Sequence, residues 1–188
     1  MAIPPGPDEE RRGTYNLRMP TTRMLAFSLV ANTPDVLEAM LAGLPAAALE
    51  SPADGGWAPK DVVAHLLDVQ EIAFVTRIRR IIEEENPLIL PIEPGERLEL
   101  GGYGSKTLPE LLATFREQRS RDIAWMKSLP EEALARSGTH HEAGRVTGEN
   151  FVHYWAVHDQ NHIGQLARML KAPIEGGIGN MQMFNESV

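Results

Sequence analysis

Between residues 147 and 170 the chain carries a stripe at spacings of four and three: Phe151, Trp155, His158, His162, Gln165 and Met169. That spacing puts all six side chains on one face of an α-helix. A face so rich in apolar and aromatic surface must be covered by other elements, so this helix belongs inside a packed assembly. His158 and His162 then face the interior. A buried imidazole needs partners for both ring nitrogens. Two imidazoles four residues apart can converge on one point. Either a metal ion at that point or ordinary hydrogen bonds, to backbone or to Asp68 and Asp159, would satisfy them.

Three other stretches have the same helical period. Met24, Leu25, Ser28, Leu29, Val36, Leu37, Met40, Leu41 and Leu44 form the first. Thr33-Pro34 interrupts it, which gives either one kinked helix or two, with Thr33 capping the second. The next helix is expected from Pro59 to about Glu85, because a proline at the first helical position has no N–H to lose and Asp61 meets the helix dipole favourably. A third spans about Leu108 to Leu129 and stops at Pro130, with one more turn at Glu131 to Ala135. Thr147 caps the fourth with Asn150 in its first turn, and Pro173 is expected to end it. Residues 86–107, crowded with proline and glycine, make a long loop, either a lid over one bundle end or a surface crossover. Residues 138–146 read as an extended or turn segment, and no strand ladder stands out. The expected fold class is all-α, a four-helix bundle over residues 20–172, with a flexible leader at 1–19 and a tail at 173–188.

The second helix has its own seam of Val62, His65, Val69, Ile72 or Ala73, and Thr76. If it neighbours the fourth helix, His65 can face His158 and His162. Three neutral imidazole nitrogens at about 2.0–2.1 Å would hold zinc and leave a coordination position open. Nickel, iron or manganese could use the same set. A cation so held lowers the pKa of bound water to about 7 in the best-known zinc case.

Composition narrows the chemistry. There is no cysteine, which removes disulfides, zinc–thiolate sites and cysteine nucleophiles. Any thiol must arrive on a small molecule. A formal net charge of −8 argues against a nucleic-acid partner. Arg77, Arg79 and Arg80 do cluster, but Glu83, Glu84 and Glu85 follow, so they read as a solvated helix face. No uninterrupted apolar run reaches the roughly 18 residues of a membrane span, and the N-terminus lacks an apolar signal region. The expectation is a cytoplasmic protein with no membrane partner.

Gly56-Trp57-Ala58-Pro59-Lys60-Asp61-Val62-Val63-Ala64-His65-Leu66 resembles the tryptophan-then-histidine signature of the DinB/YfiT-like family. His158-Asp159-Gln160-Asn161-His162-Ile163-Gly164-Gln165-Leu166 is similar to that family's H-D-x-x-H-x-x-Q motif in the last helix. Leu129 to Leu134, then His140 or His141, Gly144 and Thr147, resemble its connection into that helix. Together these cover roughly residues 24–171. The resemblance implies an up-down-down-up bundle, a histidine triad on zinc or nickel at His65, His158 and His162, and a homodimer. Ala58 departs from the family's usual Ser or Thr cap. The wider superfamily includes thiol S-transferases and thiol-dependent isomerases. By that resemblance the chain is a metal-dependent enzyme acting on a small molecule, with a low-molecular-weight thiol as a second cofactor. Metal-dependent hydrolysis, or a non-enzymatic role as a metal-binding stress or damage-response protein, are the alternatives.

Remaining polar residues divide between structure and chemistry. Asp159 points about 100° away from His158 and reads as a structural ion pair. Gln165 could contribute to the site, bonding a ligand's second nitrogen or a substrate, or could be structural. His141 or His140 could approach the metal as an acid–base group, or sit on an exposed turn. Trp57 is expected to pack over the helix end, His153 to lie on the far face, and Arg145 and Arg168 to form surface pairs or hold a substrate carboxylate.

Overall fold

Four long helices carry the structure, as the apolar stripes require. The computed structural model describes residues 19–52, 56–92 and 102–187. Helix α1 spans Met19–Leu41 and a short α2 spans Ala46–Glu50. The second long helix runs as α3 (Pro59–Val69), a π-helical stretch (Gln70–Val75) and α4 (Thr76–Glu83). The third and fourth are α5 (Leu108–Ser128) and α6 (Gly148–Glu175). All but one residue of the expected leader lie outside the described residues; Met19 already begins α1.

Each of α1 and α3 packs on both α5 and α6. Consecutive helices α1 and α3 therefore lie across the bundle from each other, in the up-down-down-up arrangement. The chain must return along the bundle's length before α5 can run beside α3, which explains the long connection after α4. Two apolar clusters fill the interior, one around Val30, Phe74, Ile78 and Trp155, the other around Leu37, Leu66, Phe115 and Leu166.

Thr33-Pro34 does not split α1. Pro34 has no N–H for the Val30 carbonyl, the bond an α-helix would otherwise form. Arg119 Nη1 from α5 donates to that carbonyl instead, at 2.6 Å. Thr33 is not a cap: its hydroxyl lies 3.0 Å from Leu29 O and 2.8 Å from Asp159 Oδ2, and its one proton can go to either. The same Arg119 nitrogen lies 2.6 Å from Asp159 Oδ2, and Arg119 Nε donates to Gln70 Oε1 at 3.0 Å. Its guanidinium sits 4.5 Å from the Phe115 ring and 4.6 Å from the Trp155 ring, bridging the two apolar clusters. All four long helices thus meet at one buried ion pair. Burial works against both charges; Arg119's charge and hydrogen bonds nonetheless hold the Asp159 carboxyl below its ordinary value.

Three details differ from the sequence reading. Residues Ser137–His140 (β2) and Gly144–Thr147 (β3) form an antiparallel hairpin, and Leu88–Ile89 (β1) pairs in parallel with β2. Helix α6 continues through Pro173 to Glu175, and Gly179–Ser187 follows as 3-10 helix, so the expected tail is helical over much of its length. The proline falls in the last turn, where it costs one hydrogen bond. Thr22–Leu41, with mean hydropathy 1.2, is long and apolar enough to cross a membrane, which the sequence reading did not recognise. In the fold this helix packs on α5 and α6, and Arg23 pairs with Glu149 at 2.8 Å.

Gly138 lets β2 lie close against the chain after α4. A Cβ there would stand 2.8 Å from Pro87 O and 3.1 Å from Pro87 Cγ. Backbone cannot yield cheaply, so Gly138→Ala is expected to destabilise the protein by about 1–3 kcal/mol, read from urea unfolding.

Candidate metal centre

His65 comes from α3, and His158 and His162 from α6. The helix-on-helix packing that buries Val62, Leu66 and Trp155 brings these three rings together. Ring centroids are 5.4 Å apart for His65 and His158, 4.7 Å for His65 and His162, and 4.5 Å for His158 and His162. One ligand atom from each lies within 4.8 Å of the others. Tetrahedral zinc with bonds of about 2.05 Å needs nitrogens about 3.3 Å apart, so small ring rotations close the set.

The donor chemistry fits a cation. Burial, reinforced by His162 and His158, pushes the His65 pKa down to about 3. Burial lowers that of His162 too, against an opposing hydrogen bond from Gln165. Both rings are therefore neutral at neutral pH, with a lone pair to give. His162 Nδ1 lies 2.7 Å from Gln165 Oε1, which can only accept, so Nδ1 carries the proton and Nε2 is free for a ligand. His65 Nδ1 and His158 Nδ1 are buried without a hydrogen-bond partner. Asp159 Oδ1 stands 4.0 Å from His158 Nδ1, behind the ring.

Two of the three rings, His65 and His158, border a cavity of about 480 Å³. Its wall along the second helix is Val69, Ala73, Phe74 and Arg77. In an uninterrupted α-helix each four-residue step rotates a side chain by about 40°, so positions 65 to 77 would turn away from one another. The π-helical stretch winds less per residue and cancels part of that drift. This also corrects the expected seam: Thr76 is exposed, and Arg77 takes its place facing the cavity. The solvated-face reading of the arginines holds only for Arg80, which pairs with Glu84 at 2.7 Å; Arg79 lies 3.8 Å from the Trp125 ring.

His140 borders the cavity, and His141 is exposed outside it. The hairpin decides this, because β2 ends at His140 and His141 begins the turn. His140 Nδ1 accepts from the backbone N–H of Glu142 and Ala143, at 3.2 and 3.3 Å. Gln165 touches the triad through His162. Trp57 packs against it as well, 4.6 Å from His65 and 6.3 Å from His162 between ring centroids. Arg145 and Arg168 are exposed and do not border this cavity. Sequence reasoning left open which of His140 and His141 approaches the site, and missed Arg77 as a cavity residue and Arg119 altogether. The one available signal for Arg119 was its place three turns into an otherwise amphipathic helix.

The model of the DinB superfamily matches residues 29–166. The chain belongs to that superfamily. Among its curated relatives are three provisionally named metal-dependent hydrolases. That of Oceanobacillus iheyensis is 26% identical over 117 residues, 62% of this chain and 67% of the relative. YfiT of Bacillus subtilis is 26% identical over 62% of this chain and 65% of its own length. The protein of Geobacillus thermodenitrificans is 40% identical over 58% of this chain and 62% of its own length. The matches thus span about two thirds of each relative. The solved structure of YfiT, described as a probable metal-dependent hydrolase with an unusual four-helix bundle topology, superposes with a TM-score of 0.73. It is 22% identical, covering 84% of this chain and 90% of that one, a likeness of fold.

The lowered pKa values of His65 and His162 make the metal-free protein acid-sensitive. An unfolded His65 takes up a proton below its ordinary pKa of 6.5, whereas the folded one resists until about 3. The unfolded state therefore binds more protons between those values, and stability falls as pH falls through that window. Urea unfolding in chelator across pH 7 to 4 should show a slope approaching one proton from His65, with His162 adding in the same direction. His65→Phe should flatten it.

Proposed function

We propose that this DinB-superfamily protein is an enzyme that holds one divalent ion, zinc or nickel, on His65, His158 and His162, and activates a small nucleophile there against an electrophile in the adjoining cavity. The observation that carries this reading is three imidazoles converging within reach of one ion, two of them, His65 and His158, at the wall of a cavity of about 480 Å³. A closed structural site has no such opening. An ion held there would supply Lewis acidity that favours the ionised form of a nucleophile.

The protein's own residues do the rest. Gln165 fixes the tautomer of His162, Trp57 covers the triad on one side, and Phe74 and Tyr154 form an aromatic wall beside His158. The nucleophile we favour is a low-molecular-weight thiol, as in S-transfer or thiol-dependent isomerisation. A thiol near pKa 8.5 ionises on coordination with little further help. Asp159, 4.0 Å from His158 Nδ1, is fully buried and tied to Arg119, so it cannot serve as a base toward water. Hydrolysis is the second reading, favoured by the names of the relatives.

Zinc- or nickel-loaded protein, with chlorodinitrobenzene and a panel of biological thiols, separates the two. Metal-dependent conjugation supports S-transfer. Metal-dependent cleavage of an ester and amide panel without thiol supports hydrolysis. Stoichiometric metal with neither activity would overturn the catalytic reading in favour of a metal-binding protein without an enzymatic role.

A further inference from the structure

Arg77 is out of place for a surface arginine. It borders the cavity that the triad borders, half-buried, and its Nη2 donates to Leu90 O at 2.6 Å. It forms no ion pair with a carboxylate among the described residues, whereas Arg23, Arg80, Arg116, Arg119 and Arg121 all do. Its guanidinium carbon sits 5.9 Å from the Phe151 ring, and burial lowers its pKa. A cation partly stripped of water against an apolar wall, with no counter-ion, is costly unless something anionic joins it.

The wall between Arg77 and the triad is aromatic: Phe74 lies 5.7 Å from Tyr154 and 5.3 Å from His158, ring to ring. His140, across the cavity, has its Nδ1 engaged as an acceptor by two backbone N–H groups, so its other ring nitrogen is a donor. Glu142 on the hairpin turn also borders the space, but it is exposed to water and screening salt.

We propose that this cavity takes its substrate as a small organic anion, with an aromatic or branched apolar body on Phe74, Tyr154 and Phe151, a carboxylate paired with Arg77 and hydrogen-bonded by His140, and its reacting end toward the triad. The orientation toward the triad rests on the catalytic reading above; the anion site itself does not. Arg77 thereby selects the substrate and sets its register, one helix turn after another from His65.

Binding of 3-phenylpropionate and of its neutral amide to chelator-treated full-length protein tests this, since without metal the carboxylate has no ion to ligate. Calorimetry should show the carboxylate bound roughly tenfold or more tightly than the amide. Arg77→Gln should erase that preference and leave amide binding unchanged, which also reports an intact fold; Arg77→Lys should keep part of it. Equal binding of the two probes, binding of neither, or a preference that survives Arg77→Gln would overturn the proposal. Metal content measured on the same preparations keeps the two readings apart. Lost metal affinity with the preference intact removes the catalytic reading and leaves the anion site standing, and the reverse removes only the anion site.

Discussion

His158→Ala is expected to empty the metal centre while leaving the bundle folded. With three protein ligands, removal of one leaves two, too few to hold zinc against water and buffer. The loss in affinity should exceed the roughly 10–100-fold that removal of a supporting hydrogen-bond partner costs. Gln165→Leu supplies that milder comparison, because it removes only the acceptor 2.7 Å from His162 Nδ1. Competition against a chromophoric chelator measures both, and elemental analysis gives the stoichiometry. The metal-free fold should tolerate His158→Ala, because the imidazole removed is only partly buried and its Nδ1 has no hydrogen-bond partner to orphan. Retention of one tightly bound ion per chain by His158→Ala, and equally by His65→Ala, would sink the triad.

Arg119→Ala is expected to be the most destabilising single change in the bundle centre. The Arg119 side chain is 1% exposed and that of Asp159 fully buried. Removing the cation strands a buried carboxylate, frees Gln70 Oε1, and leaves the Val30 carbonyl without the donor that replaces the missing Pro34 N–H. Breaking a buried pair in this way costs about 3–5 kcal/mol. Urea unfolding should show it as a lowered midpoint, and metal affinity should drop as well, because Asp159 stands directly behind His158. The combined change Arg119→Met and Asp159→Leu removes both charges and should recover much of the loss. Arg116 makes the contrasting case. It pairs with Asp35 and Glu38 at the surface, so Arg116→Ala should leave the unfolding midpoint nearly unchanged. An Arg119→Ala protein as stable as the parent would mean that the centre is held by packing alone.

Much of this arrangement was legible in the chain. Pro59 opens α3, Thr147 caps α6 with Asn150 answering from the first turn, and both histidine stripes face inward as their spacing requires. These are local features, decided within a few residues by proline's fixed backbone, by unsatisfied helix-end N–H groups and by the helical period. Family resemblance added the pairing of His65 with the other two. Other features were not legible. The hairpin has four-residue strands containing Gly138 and His140, with no alternation strong enough to mark them, and it exists because β1 and the end of α4 offer it a place to pair. Arg77 reads as one of a charged run until the π-helical stretch rotates it toward the cavity.

Local periodicity and helix-end chemistry thus determine by themselves that this chain makes four inward-facing helices carrying three histidines. Which helices touch is a different matter. It depends on contacts between residues 40 to 126 positions apart, as where Thr33, Gln70, Arg119 and Asp159 meet. Their partners are chosen by the exclusion of water from one shared interior, and no short window of sequence contains that information. For the same reason the open side of the triad, its aromatic wall and the cation at the far end belong to the tertiary structure: each comes from a different element, and only packing sets them around one space.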